Sequence, residues 1–318
     1  MAKRNHHNLL ISGAVGLFLL NKYIDENAKG RRAISDDHGY YYAWENNEIY
    51  YTKTGNGSPI LLIHDESAIA SNYEWHFLQK KLSSHHTVYA IDLIGCGQSD
   101  RPRITYTNYL LVKLIRDFIS LVIKKPADLV TSNRSSEIGL MAKLTAPEWI
   151  NKIILINPKK IQTKNFITTL DQFLLRLVYY IPILGNTVYN HQISESKIKS
   201  VLEETYLYHH TVTKKMLDIC YETAHWKGSS GRFFYASQKC HYMDVNVTKA
   251  LQTYYKDICI LCGRKNPDKD EIADQYHAIY AEIPFIEIQR TKLLPHIEET
   301  NETAEEIERF LLKENDSK

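Results

Sequence analysis

An excess of one charge is missing from this chain. Its 39 lysines and arginines against 37 aspartates and glutamates leave a net +2, which gives no electrostatic case for nucleic acid. Cysteines are few, odd in number and scattered, at Cys96, Cys220, Cys240, Cys259 and Cys262, so no disulfide framework is expected. Cys259 and Cys262 have C-x-x-C spacing, but they sit in an apolar run that reads as a strand, where positions three apart face opposite sides; core packing is expected there rather than redox or metal chemistry. His85-His86 and His209-His210 are adjacent pairs whose rings diverge, which argues against metal ligation. Internal repeats and low-complexity segments are also lacking, and no cofactor is expected. What remains is an ordinary globular composition, 44% apolar and 24% charged over 318 residues. That length suits one large α/β domain with an insert, or two ordinary domains.

The amino terminus lacks both a cleavage site and a full-length apolar run. Lys3 and Arg4 precede an apolar stretch from Leu9 to Leu20, and the polar Asp25-Glu26-Asn27-Ala28-Lys29 follows instead of an A-x-A pattern. An uncleaved anchor over residues 1–28 is therefore expected, placing the protein at a membrane. The stretch falls short of the roughly 20 residues of a comfortable span, although Tyr23-Ile24 could extend it with Lys22 snorkelling. The alternative is a helix packed on the protein or lying at the membrane surface. Basic residues flank both ends, so the side of the membrane is not readable. Residues 29–38 read as a charged linker, and residues 314–318 as a tail.

The rest has a clear rhythm. Tyr40 to Trp44 and Ile49 to Thr52 read as an opening hairpin, and Ile60 to Ile63 as a short buried strand after turn chemistry at Gly55-Asn56-Gly57-Ser58-Pro59. A helical stretch near Tyr73 to Leu82 precedes a strand over His85 to Asp92. Helix Tyr109 to Lys124, strand Asp128 to Thr131, helix Ser135 to Leu144 and strand Lys152 to Ile156 then alternate, which predicts a mainly parallel sheet covered on both faces. From 159 to 251 apolar residues recur at helical spacing, marking an inserted helical unit. The alternation resumes with strand Ile258 to Gly263, helix Glu271 to Ala281, strand Phe285 to Ile288 and helix Ala304 to Leu312. The expected organisation is a core over 39–158 and 252–313 with the insert between.

Four segments carry a family likeness. Asp92-Leu93-Ile94-Gly95-Cys96-Gly97-Gln98-Ser99-Asp100 matches a D-x-x-G-x-G-x-S-D loop, and His64-Asp65 stands where an H-G pair is usual. Thr131-Ser132-Asn133-Arg134-Ser135 lies at the place of a G-x-S-x-G nucleophile elbow, and Leu294-Pro295-His296-Ile297-Glu298 matches the segment that follows the last strand. Over roughly residues 39–313 the chain resembles the cap-bearing branch of the α/β-hydrolase superfamily, which includes haloalkane dehalogenases, epoxide hydrolases and pheophytinase-like esterases. The resemblance implies an α/β-hydrolase fold, with a mostly parallel eight-stranded sheet flanked by helices and bearing an inserted helical cap.

It also locates a triad, and each position is substituted. The nucleophile's place holds Asn133, the acid's holds Asn266 within Gly263-Arg264-Lys265-Asn266-Pro267, and the histidine's holds Leu293. An amide cannot serve as the nucleophile that this chemistry needs. His64, Asp65 and Arg134 fall in the oxyanion-hole region, where Asp65 would put a carboxylate in place of glycine. The expectation is a pseudo-hydrolase that binds a small apolar ligand or a protein partner at the membrane, without classical serine-hydrolase activity. The alternative is an active ester hydrolase with its nucleophile relocated to Ser135. Trp226, Phe233, Phe234 and Tyr235 in the insert are candidates to line a ligand pocket, or else form the cap's own core. Arg134 either creates an anion site, or faces solvent, or pairs with Asp65 or Glu137.

Overall fold

The computed structural model describes residues 2–34, 39–162 and 169–313, with side chains from residue 11 onward. The 314–318 tail and positions 35–38 of the expected linker lie outside the described residues. A long helix α1 (Ala2–Lys29) comes first, then strands β1 (Gly39–Trp44), β2 (Asn47–Thr54) and β3 (Ser58–Ile63). Helix α2 (His76–Leu82), strand β4 (His86–Ile91), helix α3 (Asn108–Phe118), strand β5 (Ala127–Ser132), helix α4 (Ser136–Thr145) and strand β6 (Ile150–Ile156) alternate as the periodicity predicts. The insert supplies α5 (Leu170–Tyr180), α6 (Leu184–Gln192), α7 (Glu195–Thr205), α8 (Lys214–Ala224), α9 (Arg232–Lys239) and α10 (Thr248–Tyr254). Strand β7 (Ile258–Gly263), helix α11 (Lys269–Ile279), strand β8 (Phe285–Ile288), the short α12 (Pro295–Glu298) and α13 (Thr300–Leu312) complete the chain.

The eight strands form one sheet in the order β1-β2-β4-β3-β5-β6-β7-β8. Only the β1/β2 and β2/β4 pairs are antiparallel. Both faces are dry. Along β3, Leu61 and Ile63 enter one core with α3 and α4 residues such as Leu114 and Ile138, while Ile60 and Leu62 enter the opposite core with Trp75, Leu78 and Ile307, as a period of two requires. A strand covered on both sides reads as a continuous apolar run, and Ile-Leu-Leu-Ile is such a run.

The amino-terminal segment departs from expectation. It is helical, but among the described residues no helix is long and apolar enough to cross a membrane, so the reading as a transmembrane helix is corrected. Polar side chains interrupt the run and have partners in the cap. Asn21 donates to the Ile183 carbonyl (3.2 Å) and to Thr187 (2.9 Å), and Ser229 donates to Asp25 (2.9 Å). The first part of the expected linker is also tied down. Arg31 pairs with Asp218 (2.6 Å) and Glu195 (2.5 Å), and the Ala33 and Ile34 amides donate to Glu222.

Candidate functional site

Asn133, Asn266 and Leu293, the positions at which the resemblance leads one to expect a triad, lie after the carboxyl ends of the parallel strands β5, β7 and β8, where ligands bind in open α/β sheets. Asn133 follows β5 directly and takes φ +49°, the left-handed turn that throws an elbow side chain clear of the sheet. Asn and Asp are the non-glycine residues that tolerate this region best, so the fold's local geometry survives the change of chemistry. Asn266 follows β7 and is buried. Its amide donates to Asn157 Oδ1 (3.0 Å), and Asn157 Nδ2 donates to the Lys292 carbonyl (3.1 Å). The acid turn is thus stitched through Asn157 to the loop that carries Leu293. Leu293 has an aliphatic side chain, and its backbone amide donates to the Thr205 carbonyl in the cap (3.2 Å). It offers nothing that could take a proton.

In this fold the oxyanion hole is built from the amide after the nucleophile and an amide in the loop after β3. The amides at the corresponding places in this chain are Arg134 N–H and Asp65 N–H, and each has an acceptor from the protein. Arg134 N–H donates to Asp65 Oδ1 (3.2 Å), and Asp65 N–H donates to Glu74 Oε2 (3.1 Å). A substrate carbonyl would have to displace a carboxylate from each donor. Hydrogen bonds to charged groups are worth about 1.5–3 kcal/mol, and an ester oxygen is the weaker acceptor.

The surrounding electrostatics fit an occupied site. Burial, with repulsion from Glu74, raises the Asp65 carboxyl to about 6. Burial likewise pushes Glu66 well above its ordinary value; its nearest cation is Arg134 Nε at 3.9 Å. Desolvation penalises the Glu74 carboxylate as well, but His296 Nε2 (3.1 Å), together with Ser132 and His64, holds its carboxyl below the usual range. His296 is itself buried and packs on Trp75 with ring centroids 4.4 Å apart. A carboxylate lies between this histidine and the elbow, the reverse of the order in which a histidine base touches the nucleophile. His64 is fixed too: Nδ1 donates to the Asp65 carbonyl (2.7 Å), and Nε2 accepts from Leu93 N–H (3.1 Å).

Arg134 does not form a free anion site, nor does its guanidinium pair with Asp65 or Glu137. It reaches Asp244 (2.8 Å), which also binds Lys159 (2.9 Å) and His241 (2.7 Å), while Lys159 holds Glu137 (3.0 Å). Ser135 is fully buried, and its hydroxyl is held by backbone. It donates toward the Ile63 and Ser132 carbonyls (3.0 and 2.8 Å) and accepts from Ser132 N–H (3.0 Å). Its hydrogen-bond partners are all backbone groups and none is a base, so it serves as a helix-start cap.

Three of the aromatic candidates pack against other aromatic rings, the arrangement of a core rather than of a pocket wall. Phe234 meets Tyr106 edge to face (5.1 Å), Phe233 meets Tyr180 (4.9 Å), and Tyr235 contacts Tyr179 and Tyr189. Trp226 donates its indole N–H to the Gln98 carbonyl (3.2 Å). The apolar cleft beside the site lies elsewhere, between α7, α8 and the loop after β3. Its volume is about 140 Å³, and Ile69, Leu202, Tyr206, Met216, Leu294 and Ile297 line it, with Asp65 and Glu74 at its polar end. A second cavity of about 190 Å³, between Ile34, Tyr50, Tyr73 and Asp92, touches none of the triad positions. Sequence reading missed Glu74, Glu66 and Asp244. The available signal was a glutamate beside Trp75 in a segment otherwise destined for the core.

Residues 58–182 match the family model of the alpha/beta hydrolase fold. Among curated relatives, a 2-hydroxy-6-oxo-6-(2'-aminophenyl)hexa-2,4-dienoic acid hydrolase of Metapseudomonas resinovorans is 29% identical over 111 residues, 34% of this chain and 38% of that protein. The matched region spans little more than a third of the relative's length. Among solved structures, a serine hydrolase involved in carbazole degradation aligns with TM-score 0.68 at 15% identity, covering 86% of this chain and 98% of its own. A membrane phospholipase A described as a bacterial virulence factor aligns with TM-score 0.65 at 16% identity, covering 97% of this chain and 98% of its own. Likeness at these identities speaks to the fold alone.

Proposed function

Since the chain belongs to the α/β-hydrolase superfamily, we propose that it is a non-hydrolytic member, a pseudo-hydrolase that binds a small apolar ligand beneath its cap and associates with a membrane. One observation carries the reading. The two amides that would stabilise an oxyanion already donate to Asp65 and Glu74, so the site is filled by its own carboxylates. Asn133, Asn266 and Leu293 support it, because none can act as nucleophile, orienting acid or base in a triad. The ligand class follows from the cleft. Apolar cavities of about 150 Å³ admit a single aromatic ring, whereas drug-sized ligands need about 300 Å³ or more.

The test combines hydrolysis of short p-nitrophenyl esters with labelling by a fluorophosphonate probe. Neither signal should exceed background, and turnover abolished by Asn133→Ala overturns the reading. Ligand binding is tested separately with benzene and indole in thermal-shift titrations. Both should raise the melting temperature of the wild type and leave Leu202→Trp, which fills the cleft, unmoved.

A further inference from the structure

Helix α1 is fixed on the cap along one side. Arg31 is held by Glu195 and Asp218, Asp25 by Ser229, and Asn21 by Thr187 and the Ile183 carbonyl at the start of α6. Beyond Asn21 the helix projects past the corner where α5 turns into α6. From residue 11 to residue 20 every side chain is exposed. The large apolar ones, Ile11, Val15, Leu17, Phe18, Leu19 and Leu20, fall on all sides of a helix with 3.6 residues per turn. A protein groove covers one side of a helix, whereas hydrocarbon covers all of them.

The corner beside this projection is apolar as well. Leu170, Phe173, Leu174 and Leu177 on α5, with Ile181 and Leu184, are 40–72% exposed. A run of arginines borders them. Arg103 donates to the Tyr180 carbonyl and lies 5.8 Å from the Tyr180 ring, Arg176 lies 5.4 Å from that ring, and Arg232 donates to the Tyr179 carbonyl. The partners of Arg103 and Arg176 are a carbonyl, a hydroxyl (Thr105) and aromatic rings, all uncharged, which leaves their charge available to an outside anion. An apolar surface edged by arginine and tyrosine matches the boundary between acyl chains and phosphates.

We propose that α5, the start of α6 and the base of α1 form one membrane-docking face, seated in a single leaflet of an anionic bilayer with Arg103 and Arg176 against lipid phosphates. The apolar run of α1 from Leu9 to Leu20 is about 18 Å long at 1.5 Å per residue. It enters a hydrocarbon core of about 30 Å without crossing it. This inference rests on the membrane association proposed above and adds a second contact element that fixes the cap against the lipid.

Vesicle flotation of the full chain tests it, using phosphatidylcholine alone and one part phosphatidylglycerol to two parts phosphatidylcholine. Wild type should float with the mixed vesicles. Leu174→Glu with Leu177→Glu, both at exposed positions, should lower the bound fraction at least tenfold at unchanged melting temperature. Arg103→Ala with Arg176→Ala should remove most of the preference for the anionic mixture. If wild type floats with neither vesicle, membrane association itself fails, and this inference with it. If wild type and the double glutamate variant float equally, α1 alone attaches the protein and the docking face is overturned. A double glutamate variant that changes a dimer into a monomer without altering flotation assigns the face to a second copy of the chain, which also overturns it.

Discussion

Two loops at the carboxyl ends of β4 and β5, the strands on either side of β3, match the hydrolase pattern to very different extents. The loop after β4 matches it through Asp92, Gly95, Gly97, Ser99 and Asp100, and each of these residues has structural work. Asp92 accepts from the Asn72 and Gln98 amides (2.6 and 2.7 Å), Ser99 bridges the Asp92 carbonyl and Tyr50 N–H, and Asp100 accepts from Glu48 N–H. The turn after β5 has the shape of an elbow, with an asparagine, Asn133, at φ +49° in the place where the pattern has serine. A motif that reads as a family signature can therefore report scaffolding, while the identity of one residue on an equally well-formed turn decides whether acyl chemistry is available.

The largest effect should come from rebuilding the second loop. Asn133→Ser, Asn266→Asp and Leu293→His together restore triad residue types, yet they leave Asp65 and Glu74 on the oxyanion donors. The triple variant should label with fluorophosphonate no faster than wild type. Adding Asp65→Gly should raise labelling by about 10²–10³-fold, the range that one oxyanion-hole donor commands. Equal labelling with and without Asp65→Gly would break the comparison, because the occupied donors would then not be what silences the site.

Damage to the first loop should appear as stability instead. Gly97 has φ +49°, and a Cβ there would drive into the Asp92 carboxylate. Gly97→Ala should cost roughly 3 kcal/mol in urea denaturation. Asn133→Ala at the same φ faces no such neighbour among the contacts described, and it should cost about 1 kcal/mol. A reversal of that order would mean that the elbow, not the signature loop, is the structural element.

The fold was legible because it rests on local signals. Buried strands such as Ile60 to Ile63 and Ile258 to Gly263 are continuous apolar runs, and turn chemistry separates them from helical periods. The docking of α1 was partly legible, since Asn21, Asp25 and Ala28 recur at helical spacing on one face and meet the cap there. A carboxylate from Asp65 in this region was expected from the sequence, but the partners it meets and the part played by Glu74 stayed hidden. Asp65 meets the Arg134 amide 69 positions away, and His296 meets Glu74 across the whole core. No period or spacing encodes such pairings. The aromatic residues of the cap stayed ambiguous for a related reason: Phe233 and Phe234 look the same in sequence whether they line a pocket or pack against Tyr180 and Tyr106.

The pH dependence of stability sharpens the comparison at a smaller scale. Asp65 is raised from its ordinary 3.8 to about 6 by burial and then by Glu74, against the favourable influence of Arg134 and His64. Between those values the folded protein holds a proton that the unfolded chain has released, so stability falls as pH rises from about 4 to 6 and levels off above. Asp65→Asn preserves an oxygen acceptor for the Arg134 amide but cannot ionise. Relative to wild type it should gain on the order of 1–2 kcal/mol across that window, after allowance for partial exposure. Glu66 and Glu137 are raised as well, Glu137 to about 7. They remain in both proteins, so the difference between the two stability curves reports the Asp65 charge, including its repulsion of Glu66. Parallel curves would mean that Asp65 is an ordinary solvated carboxylate, not one held in the oxyanion hole.

The smallest effect belongs to Ser135, whose hydroxyl joins the end of β5 to the start of α4. Ser135→Ala removes a cap and leaves Ser132 N–H without its acceptor, which should cost about 1–2 kcal/mol in urea denaturation. Probe labelling should stay at background in both proteins. A serine that holds the elbow together and one that attacks esters make opposite demands on the same hydroxyl, because donating to carbonyls ties up its proton, and accepting from Ser132 N–H ties up a lone pair that a nucleophile must expose. Labelling of wild type that Ser135→Ala eliminates would therefore mean that this hydrogen-bond network opens in solution, and the turn after β5 would then retain chemistry as well as shape.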